Sequence, residues 1–563
     1  MPRPSFASPF SFLYPRRVFV LLVALWITTL AGIQSIPLEK HEAFVLATAQ
    51  AMKTGGDWII PRFNEKPRLQ KPPLSYWATM LVSAVDPLNS TIQIYHGRMV
   101  SLLAGLMMVL LTARTGGKLF GKETGLLAAM LLMCTNGFLH LSHNAQPELL
   151  YSAFCTLQLF AWIEAWQADT PSRQKWSALL GWMAAGLATL TKGPQVPAVF
   201  LLGMIIFLMA VPDRRRVHKV LRPLSGTLLF CLLVLPWLIL LQQRLRTLGV
   251  DIADHQLSGS LLSNLAGWKE LLSFYYLWMP FRQMLPASLI LLLIVPQLIK
   301  NRTSMQPSTR LLFYVSITML VSFTIGGHYR KHYILPLLPV FSIFIANNVR
   351  SIRFRGFNEK WRKILCAAGA AGVAVCAGLM IWEGAYVMLA LLSGTSFLIV
   401  RVLKQELAGT FREQTVFAKQ LLVMSAALIL LGAGYNAYLP TAPWREAVQE
   451  FSKRTGEQLS ENDRIVCWKT FVSILPYYAR QPIAKLTDQN ELISYVTANQ
   501  SSHAVFAVLP SGELSTFNSL FKTRILLAAV NKRKPAESLI FVEILGFQKK
   551  VPDVESHAES AVQ

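Results

Sequence analysis

The chain has 563 residues, 53% of them in the hydrophobic set and only 15% charged, with a mean hydropathy of +0.41. That is too apolar and too long for one soluble core and makes lipid the main solvent. The net charge of +24, from 54 Lys and Arg against 30 Asp and Glu, argues against a nucleic-acid partner because the basic residues are scattered over short connections, where anionic membrane lipids account for them.

Taken in chain order, the first apolar run follows Arg16 and Arg17 and lacks a small-residue cleavage site before "PLEKHE", so it reads as a retained signal-anchor helix. Hydropathy predicts thirteen spans, at 17–36, 98–114, 121–139, 147–166, 177–191, 194–211, 223–242, 284–299, 311–327, 332–348, 364–382, 384–400 and 418–438. Merged or re-entrant segments around Lys192 and Glu383 would change the parity. With a cytoplasmic N-terminus, the connections "RTGGK", "DRRRVHK", "KNRTS", "RSIRFRGFNEKWRK" and "RVLKQ" face the cytoplasm, in line with the positive-inside tendency. The loops 37–97 and 243–283 and the C-terminal part then face outward. This organisation gives a polytopic α-helical membrane domain at 1–439.

Polar groups gather at the outward ends of helices, where charge beside hydrocarbon must be solvated, paired or used. The opening loop carries Glu39, His41, Glu42, Asp57, Arg62, Lys66, Arg68 and Lys71. In "HLSHNAQPELLYS", Glu148 follows Pro147 at a helix entrance, either as a first-turn acid favoured by the helix dipole or as a functional acid. Lys192 in "LATLTKGPQVP" is either a snorkelling lysine or a phosphate ligand. Arg330, Lys331 and His332 open the tenth span on the same side, against the usual charge bias.

From 440 the composition turns soluble. Helical spacing of Trp444, Val448 and Phe451 is followed by short alternating runs such as "DRIVCWK", "SHAVFAVLP" and "LIFVEIL", which predict a small α/β domain over 440–550 and a frayed tail over 551–563. It has neither a phosphate loop nor a nucleophile elbow. Five of the six cysteines fall in or beside apolar runs and Cys467 stands alone in this domain, so no disulfide framework or CxxC metal site is indicated.

Acids and bases on one membrane face suit transfer from a lipid phosphate: an acid accepts the proton of an attacking hydroxyl or amine, and Lys or Arg stabilises the departing phosphate. A sugar already joined to a lipid phosphate needs no nucleotide site. A transporter of lipid-linked sugars is the rival class, and it would place polar groups near helix centres.

The elements "GDWIIPRFN", "QKPPLSYW", "GRMVSLLAG", "TKGP", "LPW", "DH" at 254–255, "FYYL" and "YILPLLP" run through nearly the whole chain. In that order they resemble the bacterial polyprenyl-phosphate-sugar-dependent membrane glycosyltransferases, the group of the lipid A aminoarabinose transferase and the protein O-mannosyltransferases. The resemblance implies a GT-C type fold with the α/β domain in the periplasm, an undecaprenyl-phosphate-linked sugar as donor, and a periplasmic lipid or protein acceptor. It also implies the bacterial inner membrane, and inversion at the sugar carbon. The family's opening Asp-Glu pair falls on His41 and Glu42, which makes Glu42, with His41, the expected acceptor-activating group. The second family acid falls on Glu148, expected to position. Lys71, Arg98, Lys192, Arg330 and Tyr333 are the counterparts for donor phosphate or carrier contacts. The family's Glu-Lys-Pro-Pro reads "QKPP" here, so a divalent metal would have at most His255 with Gln70, a weak pair of ligands. His41 and Gln70 also motivate the reading of a catalytically degenerate scaffold. Trp58, Trp77, Tyr275 and Tyr276 are candidates for stacking on sugar or prenyl surfaces, or equally for interfacial anchors.

Overall fold

The computed structural model describes residues 37–210, 216–249, 275–284, 288, 305–326, 329–349, 442–531 and 534–548. The chain divides into two compact units, Met1–Ile36 with Met52–Pro61 and Arg68–Leu439, and Pro37–Ala51 with Arg62–Pro67 and Pro440–Gln563.

The first unit is helical. Four described helices are long and apolar enough to cross a membrane: Ile94–Phe120, Pro147–Gln167, Val217–Thr247 and Pro307–Ile325. Lys122–Met133 and Asn136–Ser142 would add a fifth as one span, but they meet at 65°, because Thr135 takes an extended backbone between them. The expected span 121–139 is therefore a broken one. The expected span 332–348 begins as a 3-10 turn, Lys331–Leu337, before the α-helix Leu338–Val349, since Pro336 has no N–H to give. The spans expected at 17–36, 364–382, 384–400 and 418–438, and most of 284–299, lie outside the described residues. Along Pro223–Thr247 the exposed residues Leu224, Leu228, Leu232, Leu235 and Ile239 recur at helical spacing. Such a stripe is a lipid-facing surface in a membrane helix.

Pro147–Gln167 and Pro171–Lys192 form an antiparallel pair joined by three residues. Their register is fixed by Trp162, whose ring lies over Gly181. A Cβ there would come within 2.3 Å of the indole nitrogen, and that nitrogen donates to the carbonyl of Ala178 at 3.3 Å.

The second unit is built on a five-stranded sheet in the order β4-β3-β5-β7-β6. β3 (Arg464–Trp468) pairs in parallel with β4 (Ile483–Leu486) and with β5 (Val505–Pro510), while β7 (Leu539–Phe547) is antiparallel to β5 and to β6 (Phe521–Ala529). β3 and β5 are buried almost throughout, which is why they read as continuous apolar runs rather than alternating ones. Burial pushes the Cys467 thiol on β3 up to about 12, so it packs as an inert apolar group.

The same unit takes in two pieces of the opening loop. β1 (Arg62–Phe63) and β2 (Lys66–Pro67) form a tight hairpin whose turn residues Asn64 and Glu65 have φ of 54° and 64°, the left-handed pair that a two-residue turn requires. The Asn64 side chain accepts from the backbone N–H of Ile483 at 2.6 Å and donates to its carbonyl at 2.7 Å. The hairpin thereby closes off the start of the edge strand β4.

Candidate active site

Two antiparallel helices of 21 and 22 residues each span about 30 Å at 1.5 Å per residue. Their arrangement brings the N-terminus of the first beside the C-terminus of the second. Glu148 sits in the first turn of Pro147–Gln167 and Lys192 ends Pro171–Lys192, so each charge also suits the dipole of its own helix. The helix stops at Lys192 because Gly193 has φ of 119°, a conformation that glycine adopts without strain.

Lys192 Nζ lies 3.1 Å from Glu148 Oε1, with side-chain exposures of 5% and 8%. The ammonium stands 4.8 Å from the Tyr333 ring centroid and 5.7 Å from that of Tyr151, within cation–π range. Tyr151, one turn along from Glu148, donates its hydroxyl to the Gly193 carbonyl at 3.2 Å and accepts from the Val196 N–H at 3.0 Å. It thus straps the turn that carries Lys192 to the helix that carries Glu148. Glu148 Oε2 is buried and has no hydrogen-bond partner among the described residues.

Further cations surround this pair. The charges of His332 and Lys71 bear on Glu148 besides that of Lys192. Burial first, then the charge of Lys192 with smaller contributions from Arg330 and Arg68, pushes the Lys71 ammonium down to about 8, against the opposing pull of Glu148. Arg68, Lys71, Lys192 and Arg330 therefore share a region whose described carboxylate is Glu148. Such an excess of positive charge is a field for an anion.

The motif around Asp57 anchors the segment that leads toward this region. Asp57 Oδ1 accepts from the N–H groups of Ile59 and Ile60 at 3.0 and 3.2 Å, and from Arg244 at 2.9 Å. Trp237 donates to the Ile59 carbonyl at 3.1 Å and Trp77 to that of Trp58 at 3.0 Å. A second anchor precedes Ile94–Phe120: Asp86 accepts from Tyr95, Asn89 and the Leu88 N–H and contacts His96 Nε2 at 2.9 Å, while His96 Nδ1 accepts from the Gln93 N–H at 2.9 Å. This bond to Nδ1 leaves Nε2 as the protonated nitrogen facing Asp86.

The other expected site residues fall in different settings. Arg98 is fully buried on Ile94–Phe120 and its charge is felt at His143. Tyr276 is buried against Tyr329 and Phe323 and accepts from the Arg330 N–H at 3.4 Å; Tyr275 packs edge-on to it. Glu42 and His41 belong to the second unit, on the first turn of the helix Lys40–Gly55. Glu42 is fully buried, and its Oε2 accepts from the Glu39 N–H at 3.0 Å, the carboxylate half of a capping box. His41 is exposed, with its ring 6.1 Å from Phe44. Gln70 is exposed, His255 lies outside the described residues, and no group of three metal-type side chains occurs among the described residues. A neutral exposed amide does not fit a divalent ion, so no chemistry is assigned to one.

Arg68, Tyr151 and His332 are the additions that the geometry makes to the expected set. Tyr151 had a signal in its spacing of three from Glu148, which puts both on one helix face. Arg68 and His332 stood in charged stretches with nothing to separate them from their neighbours.

Residues 70–240 match the family of dolichyl-phosphate-mannose-protein mannosyltransferases. An undecaprenyl phosphate-alpha-4-amino-4-deoxy-L-arabinose arabinosyl transferase of Pseudomonas aeruginosa is 30% identical over 225 residues, 37% of this chain and 38% of that protein. An uncharacterized protein of Aquifex aeolicus is 30% identical over 201 residues, 34% of this chain and 37% of its own length. The chain thus spans little more than a third of the curated relatives it matches. Among solved structures, ArnT from Cupriavidus metallidurans bound to undecaprenyl phosphate is similar with a TM-score of 0.70 at 16% identity, over 93% of this chain and 97% of that one. Its apo state gives a TM-score of 0.69 at 17% identity. At these identities the likeness is one of fold.

Proposed function

We propose that this chain, a membrane protein of the GT-C glycosyltransferase family, moves a sugar from an undecaprenyl-phosphate-linked donor to an acceptor on the periplasmic side, lipid A or another envelope glycan or protein. The observation that carries the reading is the cluster of Arg68, Lys71, Lys192 and Arg330 around Glu148, a setting suited to a phosphate at the end of a helix pair long enough to cross the membrane. The name of the Pseudomonas aeruginosa relative supports the same donor.

In this reading the cations hold the donor phosphate, with Arg98 and Tyr333 on the carrier side, and Glu148 keeps Lys192 in place. The acceptor hydroxyl attacks the anomeric carbon opposite the phosphate. A new carbon–oxygen bond forms as the bond to the phosphate oxygen breaks, and the configuration inverts. Undecaprenyl phosphate leaves with the electron pair, its charge met by Lys and Arg, and the hydroxyl proton passes to a carboxylate base, the part that the family resemblance gives Glu42 with His41. No step runs through a metal. The thirteen spans, a cytoplasmic N-terminus in the bacterial inner membrane and a periplasmic C-terminal domain complete the proposal.

The test is transfer of radiolabelled sugar from a panel of undecaprenyl-phosphate sugars into membrane lipid and protein fractions, with wild type, Glu42→Gln and Glu148→Gln at matched levels. Label that appears with wild type and is lost in both variants is the expected result. No label from any donor by correctly inserted wild type would overturn the reading in favour of a scaffold.

A further inference from the structure

The second unit contains a crevice of about 630 Å³, in which His41 is the lining residue that the transfer step uses. It lies where the loop after β3, Lys469–Ile474, meets Pro510 at the end of β5. β3 is flanked in parallel by β4 on one side and β5 on the other, so the chain leaves and re-enters the sheet in opposite directions at this point. Loops diverge at such a switch point, and in open α/β sheets ligands bind in the gap outside the carboxyl ends of the strands. The start of the helix Ala442–Gln458, residues 38–41, Glu537 and Leu539 supply the rest of the lining.

The chemistry of the lining narrows the ligand. Lys40, Arg445 and Lys469 line it with Glu39 and Glu537, and with the salt-bridge partners Glu513 of Lys469 and Lys534 of Glu537 counted the cations exceed the acids by one. Arg445 reaches Glu39 at 3.2 Å and Lys469 reaches Glu513 at 2.9 Å, through cationic side chains 50% and 41% exposed. Exposed pairs of this kind are weak, so an arriving anion can take over both cations. Trp444 and Phe471, half-buried, offer flat apolar faces of the kind a sugar ring packs on, and the hydroxyls of Thr470 and Ser473 can bond to ring substituents. A peptide would find no open sheet edge at this place, because β3 and β5 are paired on both sides.

The geometry points to an acceptor subsite: this crevice binds a phosphorylated sugar head group, the anionic part of the molecule to be glycosylated. The assignment of that sugar as acceptor rests on the transferase reading, whereas binding itself does not. The experiment is titration of the full chain in nanodiscs with glucosamine 6-phosphate, followed by ligand-observed NMR, with free glucosamine, inorganic phosphate and an acidic peptide as comparisons. Saturable binding of the phosphosugar, weakened about fivefold or more by Lys469→Gln or Arg445→Gln and unchanged by Lys192→Ala, is expected. Inorganic phosphate or the acidic peptide binding as tightly as the phosphosugar overturns the ligand class. Loss in Lys192→Ala with none in Lys469→Gln moves the ligand to the first unit and overturns the site. Phosphosugar binding by a protein that transfers no label keeps the crevice and rejects the transferase reading; label transfer without phosphosugar binding rejects the crevice alone.

Discussion

Lys192 is gripped by a carboxylate oxygen and two aromatic rings, so its rotamer freedom is already spent before a ligand arrives. In Lys192→Ala, Glu148 loses the partner of Oε1 while Oε2 has none among the described residues. Affinity for undecaprenyl phosphate should fall by about tenfold or more, as loss of a charge-assisted bond implies, and thermal stability should fall with it. Unchanged affinity in a folded variant would remove Lys192 from the phosphate site. Lys71 adds a pH dependence. Its ammonium titrates at about 8 rather than at its ordinary value of 10.5, so the charge is complete below that pH and is lost as pH rises through it. Bound phosphate favours the protonated form, so binding above pH 8 takes up a proton and weakens as pH climbs. The lipid phosphate, with its own second ionisation near pH ~6, contributes no slope there. Undecaprenyl phosphate affinity measured from pH 7.5 to 9.5 should decline in wild type and stay nearly flat in Lys71→Arg, whose guanidinium keeps its proton. Parallel profiles would exclude Lys71 as a ligand.

At the scale of elements, the hairpin β1-β2 shows what a local sequence can and cannot disclose. Asn64 satisfies both backbone groups of Ile483, and in Asn64→Ala both lose that partner. The second unit should lose about 1–3 kcal/mol, read as a lower unfolding temperature and faster hydrogen exchange at Ile483; Asn64→Asp, which keeps the acceptor, should lose less. An unaltered exchange rate would mean the hairpin does not protect the edge. Composition marked 440 as the start of soluble character, but the sequence separation of 419 between Asn64 and Ile483 left no periodicity from which their contact could be read. The same limit applies to the candidate site. Glu148 and Lys192 were legible singly, as charges at helix ends, and the helices holding them were legible from apolar runs. Their contact depends on the Trp162–Gly181 register, a matter of side-chain volume that hydropathy does not encode. Glu42 was picked out by its place in a motif, and its cap on Glu39 gives that carboxylate a structural duty as well.

Across the whole molecule, the ends of the Glu148–Lys192 helix pair differ in character. At one end, Lys192 is buried and paired; at the other, Glu164 accepts from Arg114, Lys118 and Arg173, and these cations are 61%, 33% and 45% exposed. Exposed basic residues at helix ends favour the cytoplasmic leaflet, where anionic head groups and the positive-inside tendency act together. The pair is about as long as the hydrocarbon layer is thick, so a cytoplasmic Glu164 cluster would carry Glu148 and Lys192 to the periplasmic side, where the proposed function needs them. Two exposed serines make the test. Ser172 lies in the first turn after the connection at the Glu164 end, and Ser501 follows the helix Gln489–Gln500 in the second unit. In intact cells, a small membrane-impermeant maleimide should label Ser501→Cys and spare Ser172→Cys until the inner membrane is permeabilised, with wild type as the blank for the native cysteines. Labelling of Ser172→Cys in intact cells would invert the helix pair and take the cationic cluster around Glu148 to the cytoplasm. Silence of Ser501→Cys there, with labelling after permeabilisation, would place the sheet unit in the cytoplasm and remove its crevice from any periplasmic acceptor.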